Sequence, residues 1–243
     1  MIEIRNLHKS FGKNHVLRGV NLDIETGATL VIIGRSGCGK SVLIKHIVGL
    51  LKPDQGDIKV EGTVVNQLNT EELYELRKKF GFLFQGAALF DSMTVGENIA
   101  LALVESKEKI PQPEIDKRVD EKLELVGLPD AKNLKPAELS GGMKKRVGLA
   151  RALITDPDYI LYDEPTTGLD PIMSDSIDHL IKELTEKLKV TSVVVTHDMY
   201  SVKNVAHHVA MMHEGIIYFV GTPAELVNSD DPIIQEFIQR TEV

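Results

Sequence analysis

The sequence predicts an α/β fold with an N-terminal antiparallel β subdomain and an inserted helical lobe. Three observations predict it. Residues 29–33, Thr-Leu-Val-Ile-Ile, are an apolar run that reads as a buried strand. They lead through Gly34-Arg35-Ser36-Gly37-Cys38-Gly39-Lys40-Ser41 into 42–49, which reads as a helix. Two further apolar strands, 159–162 and 190–196, end in Asp163-Glu164 and His197-Asp198, as strands of a parallel sheet do where they converge on a ligand edge. Residues 86–157 read as a helical lobe that interrupts this core.

Strand, glycine-rich loop, Gly-Lys-Ser and helix together make a P-loop. The three glycines let the backbone curl so that successive N–H groups point inward at phosphate oxygens, and the helix N-terminus adds partial positive charge. Lys40 would reach the β- and γ-phosphates, and the Ser41 hydroxyl would ligate Mg²⁺. A turn that merely starts a helix would explain the glycines, but not Lys40-Ser41 at this spacing.

Bulk properties narrow the class. A chain of 243 residues suits one large domain, or a domain with a lobe inserted in it, and 42% hydrophobic with 26% charged residues is ordinary for a globular chain. The net charge of -8 argues against a nucleic-acid protein that relies on bulk positive charge. No apolar run approaches the ~18 residues of a membrane helix. The first residues resemble neither a signal peptide nor a transit peptide. Cys38 is the single cysteine, so no internal disulfide can form. These features lead to the expectation of a cytoplasmic protein that reaches a membrane only through a partner.

The elements follow in order. Ile2 and Ile4, then Val20, Leu22 and Ile24, alternate with polar residues as strands do, with 9–14 turn-like between them. Phe11 is an aromatic among polar residues, read either as a ring tucked under its turn or as one stacked on a base. Residues 51–56 break the pattern and 57–62 form a strand. A helix spans 70–79, capped by Thr70 with Glu71 and Glu72 in its first turn. Residues 80–84 form a short strand ending at Gln85, followed by a flexible Gly86-Ala87-Ala88. Residues 92–128 look all-helical, as segments 94–104 and 113–126 joined by a loop at 107–113.

Leu139-Ser140-Gly141-Gly142-Met143 then precedes an amphipathic helix over 144–154, with Ser140 as N-cap. Two glycines after a cap cost helix stability, and they make sense where something must approach the backbone closely. After Asp163-Glu164 comes the loop 165–170, and Pro171 starts a long helix to about 188. The chain closes with strands at 206–212 and 216–220 and short helices from 222 and 231. His207 and His208 are neighbours on a strand and face opposite ways, so they are poorly placed to chelate a metal.

In this order, residues 34–41, Gln85, 139–143, 159–164, Gly168-Leu169-Asp170 and His197 resemble the motifs of ATP-binding cassette (ABC) ATPases. The resemblance covers nearly the whole chain and implies one nucleotide-binding domain over 1–243, with 86–157 as its helical subdomain and 222–243 as a helical tail. Residues 40–53, 83–90 and Met143 are further similar to the ATPase subunit of Mla-type phospholipid transporters. Met143 departs from the glutamine usual in the broader superfamily.

The resemblance implies ATP hydrolysis with Mg²⁺, a head-to-tail dimer, an integral membrane permease and an MCE-domain lipid-binding protein as partners. It implies a position on the inner face of the cell membrane and no nucleic acid. Lys40 would balance phosphate charge, and Ser41 and Asp163 would hold Mg²⁺. Glu164 would act as general base, with His197 on the γ-phosphate and Gln85 sensing Mg²⁺ and water. Ser140, Gly141 and Gly142 would meet an ATP bound by the second copy, Asp170 would lie at the seam, and Phe11 would stack on adenine. Leu89, Phe90 and Met93 are expected either to line a permease groove or to pack inside the lobe.

Other readings are a polar amino-acid importer ATPase, an iron–sulfur assembly ATPase, a DNA-repair or translation cassette, or a non-hydrolysing scaffold. Importer signatures carry glutamines where this chain has Met143-Lys144-Lys145. The spacing here leaves no room for the coiled coils of repair relatives, and translation relatives carry two cassettes in one chain. Intact Lys40, Asp163, Glu164 and His197 speak against a scaffold.

Overall fold

The computed structural model describes residues 1–107 and 109–241. Glu108 of the expected 107–113 loop and Glu242 and Val243 of the expected tail lie outside the described residues.

The first strands are β1 (Ile2–Phe11) and β2 (Asn14–Ile24), an antiparallel hairpin in which Ile2 faces Ile24 and Phe11 faces Asn14. The turn is only Gly12-Lys13, so the stretch expected as a turn over 9–14 is mostly strand. The reason is cross-strand pairing: Lys9 and Ser10 find partners in Leu17 and His15. β4 (Gln55–Val60) joins β1 antiparallel and β5 (Thr63–Val64) adds to β4. β4 starts at Gln55, inside the expected break, because His8 of β1 pairs with it.

The larger sheet contains β3 (Thr29–Ile33), β6 (Phe80–Leu83), β7 (Tyr159–Asp163), β8 (Thr191–Val195), β9 (His208–His213) and β10 (Ile216–Gly221), in the order β10-β9-β3-β8-β7-β6. β9, β3, β8, β7 and β6 run parallel, and β10 closes one edge antiparallel to β9. β3, β7 and β8 are buried at every residue, which explains why they read as unbroken apolar runs rather than alternating ones.

Alternate residues of these strands feed two cores. Val31, Ile33, Tyr162 and Val194 face the helices α3 (Val95–Val104), α4 (Gln112–Leu125), α5 (Gly141–Leu153), α6 (Pro171–Leu188) and α7 (Met199–Val205). Leu30, Ile32, Leu161 and Val193 face α1 (Lys40–Ile47) and the smaller sheet. No helix among the described residues is long and apolar enough to cross a membrane.

Several boundaries differ from the expectation for local reasons. α2 (Thr70–Lys78) is capped by Asn69, not Thr70. The Asn69 side chain accepts from the backbone of Glu71 and Glu72, and Glu72 returns a bond to Asn69 N. The amphipathic helix starts at Gly141 rather than at 144, because Ser140 caps it by accepting from Met143 N at 3.2 Å. The two glycines are therefore its first turn. Phe90 is exposed as expected, whereas Leu89 and Met93 are half-buried and Leu89 packs against the helical core.

α6 and α7 pack together around a buried carboxylate. Asp178 is fully buried and neither of its oxygens has a hydrogen-bond partner. The Ser201 hydroxyl on α7 donates to Asp198 instead, at 3.3 Å. Burial raises the pKa of Asp178 from 3.8 to about 6, opposed in part by the nearby Ser201 hydroxyl and reinforced by the charges of Asp198 and Asp175. The folded chain thus holds this proton more tightly than the unfolded chain, so the group's stability contribution is full below about pH 4 and is lost as pH rises through about 6. Asp178→Asn is expected to raise the unfolding free energy by about 1–2 kcal/mol at pH 8, with the gap closing towards pH 4. Denaturant titrations at the two pH values check this; equal stabilities at pH 8 would refute it.

Candidate nucleotide site

The site forms where the parallel strands end. β3 runs into 34–39, which curl over the N-terminus of α1. β7 ends at Asp163, β8 leads to His197, and β6 leads to Gln85. Gly34 has φ 150°, and a Cβ there would meet Met212 O at 2.4 Å and Cys38 Sγ at 2.7 Å. The loop can therefore sit this tightly against β9 only with glycine at that position. Cys38 is half-buried, and burial pushes its thiol pKa up, away from thiolate chemistry.

Lys40 is buried, and its ammonium donates to Gly34 O at 2.8 Å and Arg35 O at 3.4 Å. It also lies 3.6 Å from Glu164 Oε1. The Ser41 hydroxyl donates to Asp163 Oδ1 at 2.5 Å. Glu164 Oε2 lies 2.8 Å from His197 Nδ1 and accepts from the Thr167 hydroxyl at 3.0 Å. Glu164 itself has φ 50°, a left-handed backbone that a non-glycine residue rarely adopts. One cation, two carboxylates, an imidazole and two hydroxyls thus converge at the mouth of the loop. Such a set can hold a polyphosphate, and one carboxylate is placed to accept a proton.

No metal is needed to explain the fold, but the donors suit one. Ser41 and Asp163 supply hard oxygen ligands side by side next to the phosphate loop, as Mg²⁺ prefers. No group of three or more His, Cys, Asp or Glu side chains among the described residues could form an all-protein metal cage. His207 instead accepts from Thr29 N at 2.9 Å through Nδ1.

The remaining predicted residues lie around this centre. Gln85 lines a cavity of 450 Å³ with Arg35, Ser36, Glu164 and His197. Phe11 is exposed at the end of the first hairpin, with the Lys9 ammonium 5.6 Å from its ring centre. Asp170 caps α6 by accepting from Met173 N at 3.0 Å. Ser140 and Gly141 are exposed, and no hydrogen bond or ion pair among the described residues joins 140–142 to 34–41. Gly142 is also packed within the chain: a Cβ there would stand 3.1 Å from Met173 Sδ, so that flexible side chain would have to shift by a few tenths of an ångström.

Three features escaped the sequence reading. Thr167 holds Glu164 from the following loop. Lys145 and Arg151 of α5 bond the backbone around Gln85. After α8 (Pro223–Val227), the last helix, α9 (Pro232–Thr241), reaches the site, where Glu236 pairs with Arg35 at 2.7 Å and with Arg240 at 2.7 Å. The Lys145, Arg151 and Arg35–Glu236 contacts join residues far apart in sequence, and the Thr167–Glu164 bond lies within one turn that no motif marks.

Residues 17–167 match the protein-family model described as ABC transporter. The chain is 41% identical over 239 residues to the "Intermembrane phospholipid transport system ATP-binding protein MlaF" of Haemophilus influenzae, covering 98% of this chain and 90% of that protein. It is 41% identical over 237 residues to the "Probable ribonucleotide transport ATP-binding protein mkl" of Mycobacterium leprae, covering 98% of this chain and 68% of that protein. It also superposes with a TM-score of 0.84 and 34% identity on the solved dimeric post-hydrolysis state of the ATP-binding cassette MJ0796 bound to ADP and Pi, covering 92% of this chain and 99% of that one.

The glycine at position 34 offers a direct check. Gly34→Ala must displace backbone, whereas Gly37→Ala meets nothing within 4 Å. The first is expected to lower the unfolding free energy by about 2 kcal/mol or more and the second by about 1 kcal/mol, read by denaturant unfolding. Equal costs would contradict the close packing of the loop on β9.

Proposed function

The chain belongs to the ABC transporter family as an ATP-binding subunit with ATPase activity, and from that premise we propose that it drives a membrane permease by hydrolysing MgATP between two head-to-tail copies. The observation that carries the catalytic reading is the Glu164 carboxylate, held between the Lys40 ammonium, the His197 imidazole and the Thr167 hydroxyl.

Lys40 neutralises charge on the β- and γ-phosphates, and the backbone of 34–39 donates to their oxygens. Ser41 and Asp163 are the holders of Mg²⁺, which when bound offsets phosphate charge. Glu164 takes the proton of the attacking water, or orients that water, as general base. His197 keeps the Glu164 carboxylate aimed and contacts the γ-phosphate, while Gln85 faces the water and metal. Ser140, Gly141 and Gly142 present the N-terminus of α5 to an ATP bound by the second copy. In support, Ser140 and Gly141 are exposed and unattached to this chain's own loop, and the related MJ0796 cassette was solved as a dimer. Asp170 lies at the seam between copies. Phe11 stacks on the adenine; its exposed ring closes the hairpin whose Val16 and Leu17 back Gly39.

The cassette over 1–243 includes a helical subdomain at 86–157 and a helical tail from 222. A cytoplasmic helix of the permease docks in the 790 Å³ groove between core and lobe, where Phe82, Phe84 and the exposed Phe90 present aromatic surface. The chain sits on the inner face of the cell membrane, and the cargo is phospholipid, moved by a complex that includes an MCE-domain partner. The 41% identity to MlaF and the similarity at 40–53, 83–90 and Met143 support this choice of cargo.

Glu164→Gln tests the central role. The variant is expected to bind ATP and to persist as a dimer with turnover lowered by about two orders of magnitude or more, measured by phosphate release and light scattering. Near-normal turnover would remove Glu164 from the role of base.

A further inference from the structure

Lys145 is the fifth residue of α5 and is buried. Its ammonium makes no ion pair among the described residues. It donates instead to two backbone carbonyls, Gln85 O at 2.5 Å and Glu164 O at 3.1 Å. Burying an ammonium costs several kcal/mol when no carboxylate side chain pairs with it. Burial accordingly lowers its pKa, while the charges of Glu164 and Asp163 oppose that fall. An apolar side chain would fill the same space at lower cost, so the cation has to be explained by what it holds.

It holds the two loops on which hydrolysis depends. Gln85 begins the loop after β6, and Glu164 follows β7. Six residues along α5, about 9 Å, Arg151 repeats the pattern, donating to Ala87 O at 2.6 Å and Ala88 O at 2.7 Å. Ala87 and Ala88 are in left-handed conformations, φ 57° and 50°, which a free loop would leave. Glu164 shares that backbone strain at φ 50°. One helix therefore clamps three strained residues by their own or neighbouring carbonyls, and the Lys145 ammonium spans the gap between Gln85 and Glu164.

We propose that Lys145 is a positioning residue for ATP hydrolysis, fixing Gln85 and Glu164 in one arrangement by bridging their backbone carbonyls. The inference rests on the hydrolytic role proposed above. Because α5 also carries Ser140 and the two glycines at its N-terminus, the helix offered to the second copy is the same one that sets the geometry of its own Gln85 and Glu164.

The test compares Lys145→Met, close in shape but uncharged, with Lys145→Arg in the full chain. Two readouts are taken: steady-state kinetics with MgATP, and amide hydrogen exchange over residues 85–88 and 164–167. Lys145→Met is expected to lower kcat by about tenfold or more while KM stays within about twofold, and to speed exchange in both segments. Lys145→Arg is expected to restore most of both. Wild-type kcat and protection in Lys145→Met would overturn the proposal, as would an arginine variant no better than the methionine one. If Lys145→Met does not fold, Lys145→Gln takes its place with the same expectations. If the wild-type chain itself turns over no MgATP, the proposed function fails, and the exchange comparison still decides whether Lys145 orders the two loops.

Discussion

β3 lies in the sheet between β8 and β9, hydrogen-bonded in parallel to both and buried at all five residues. That pairing fixes where the loop 34–39 emerges, and β7 beside β8 fixes where Asp163 emerges. Parallel strands end on a common edge, so residues more than a hundred positions apart meet there: Ser41 bonds Asp163, and Lys40 faces Glu164. The alternation of Leu30, Val31, Ile32 and Ile33 between two cores holds the strand from both sides. A slip of one residue would exchange those faces and misplace the loop.

The site built on that edge concentrates charge in little water. Lys40, Lys145 and Asp163 are buried, and the Glu164 side chain is only 12% exposed. Two cations against two carboxylates leave the cluster near balance, which is the condition for burying it at all. A polyphosphate arriving there adds negative charge, and the N-terminus of α1 together with a cation on Ser41 and Asp163 would offset it. On the outer side, α9 adds an Arg35–Glu236–Arg240 chain beside the loop, so the tail borders the site.

Much of this was legible in the sequence where chemistry and local pattern coincide. Lys40-Ser41 after three glycines, and Asp163-Glu164 at the end of an apolar run, mark strand ends by their own residues. The long helix from Pro171 to Leu188 declares itself by its first residue and its periodicity. What was misread depended on partners that sequence does not display. Lys9 and Ser10 look like a turn until β2 pairs with them. Asn69 wins the cap from Thr70 because Glu72 completes a reciprocal bond with it. Lys145, Arg151 and α9 join the site only through tertiary contacts, and a lysine after Met143 carries no signal that it will reach Gln85 and Glu164.

In the proposed function, one chain holds two half-sites, a phosphate loop and an α5 N-terminus, each completed by a second copy. Mixing two inactive variants measures this most directly. Lys40→Ala disables the loop and Ser140→Arg blocks the helix N-terminus, so a mixed dimer keeps one intact pairing of loop and helix. The mixture is expected to hydrolyse ATP while neither variant does so alone. A mixture as inactive as its components, with mixed dimers shown to form, would contradict it.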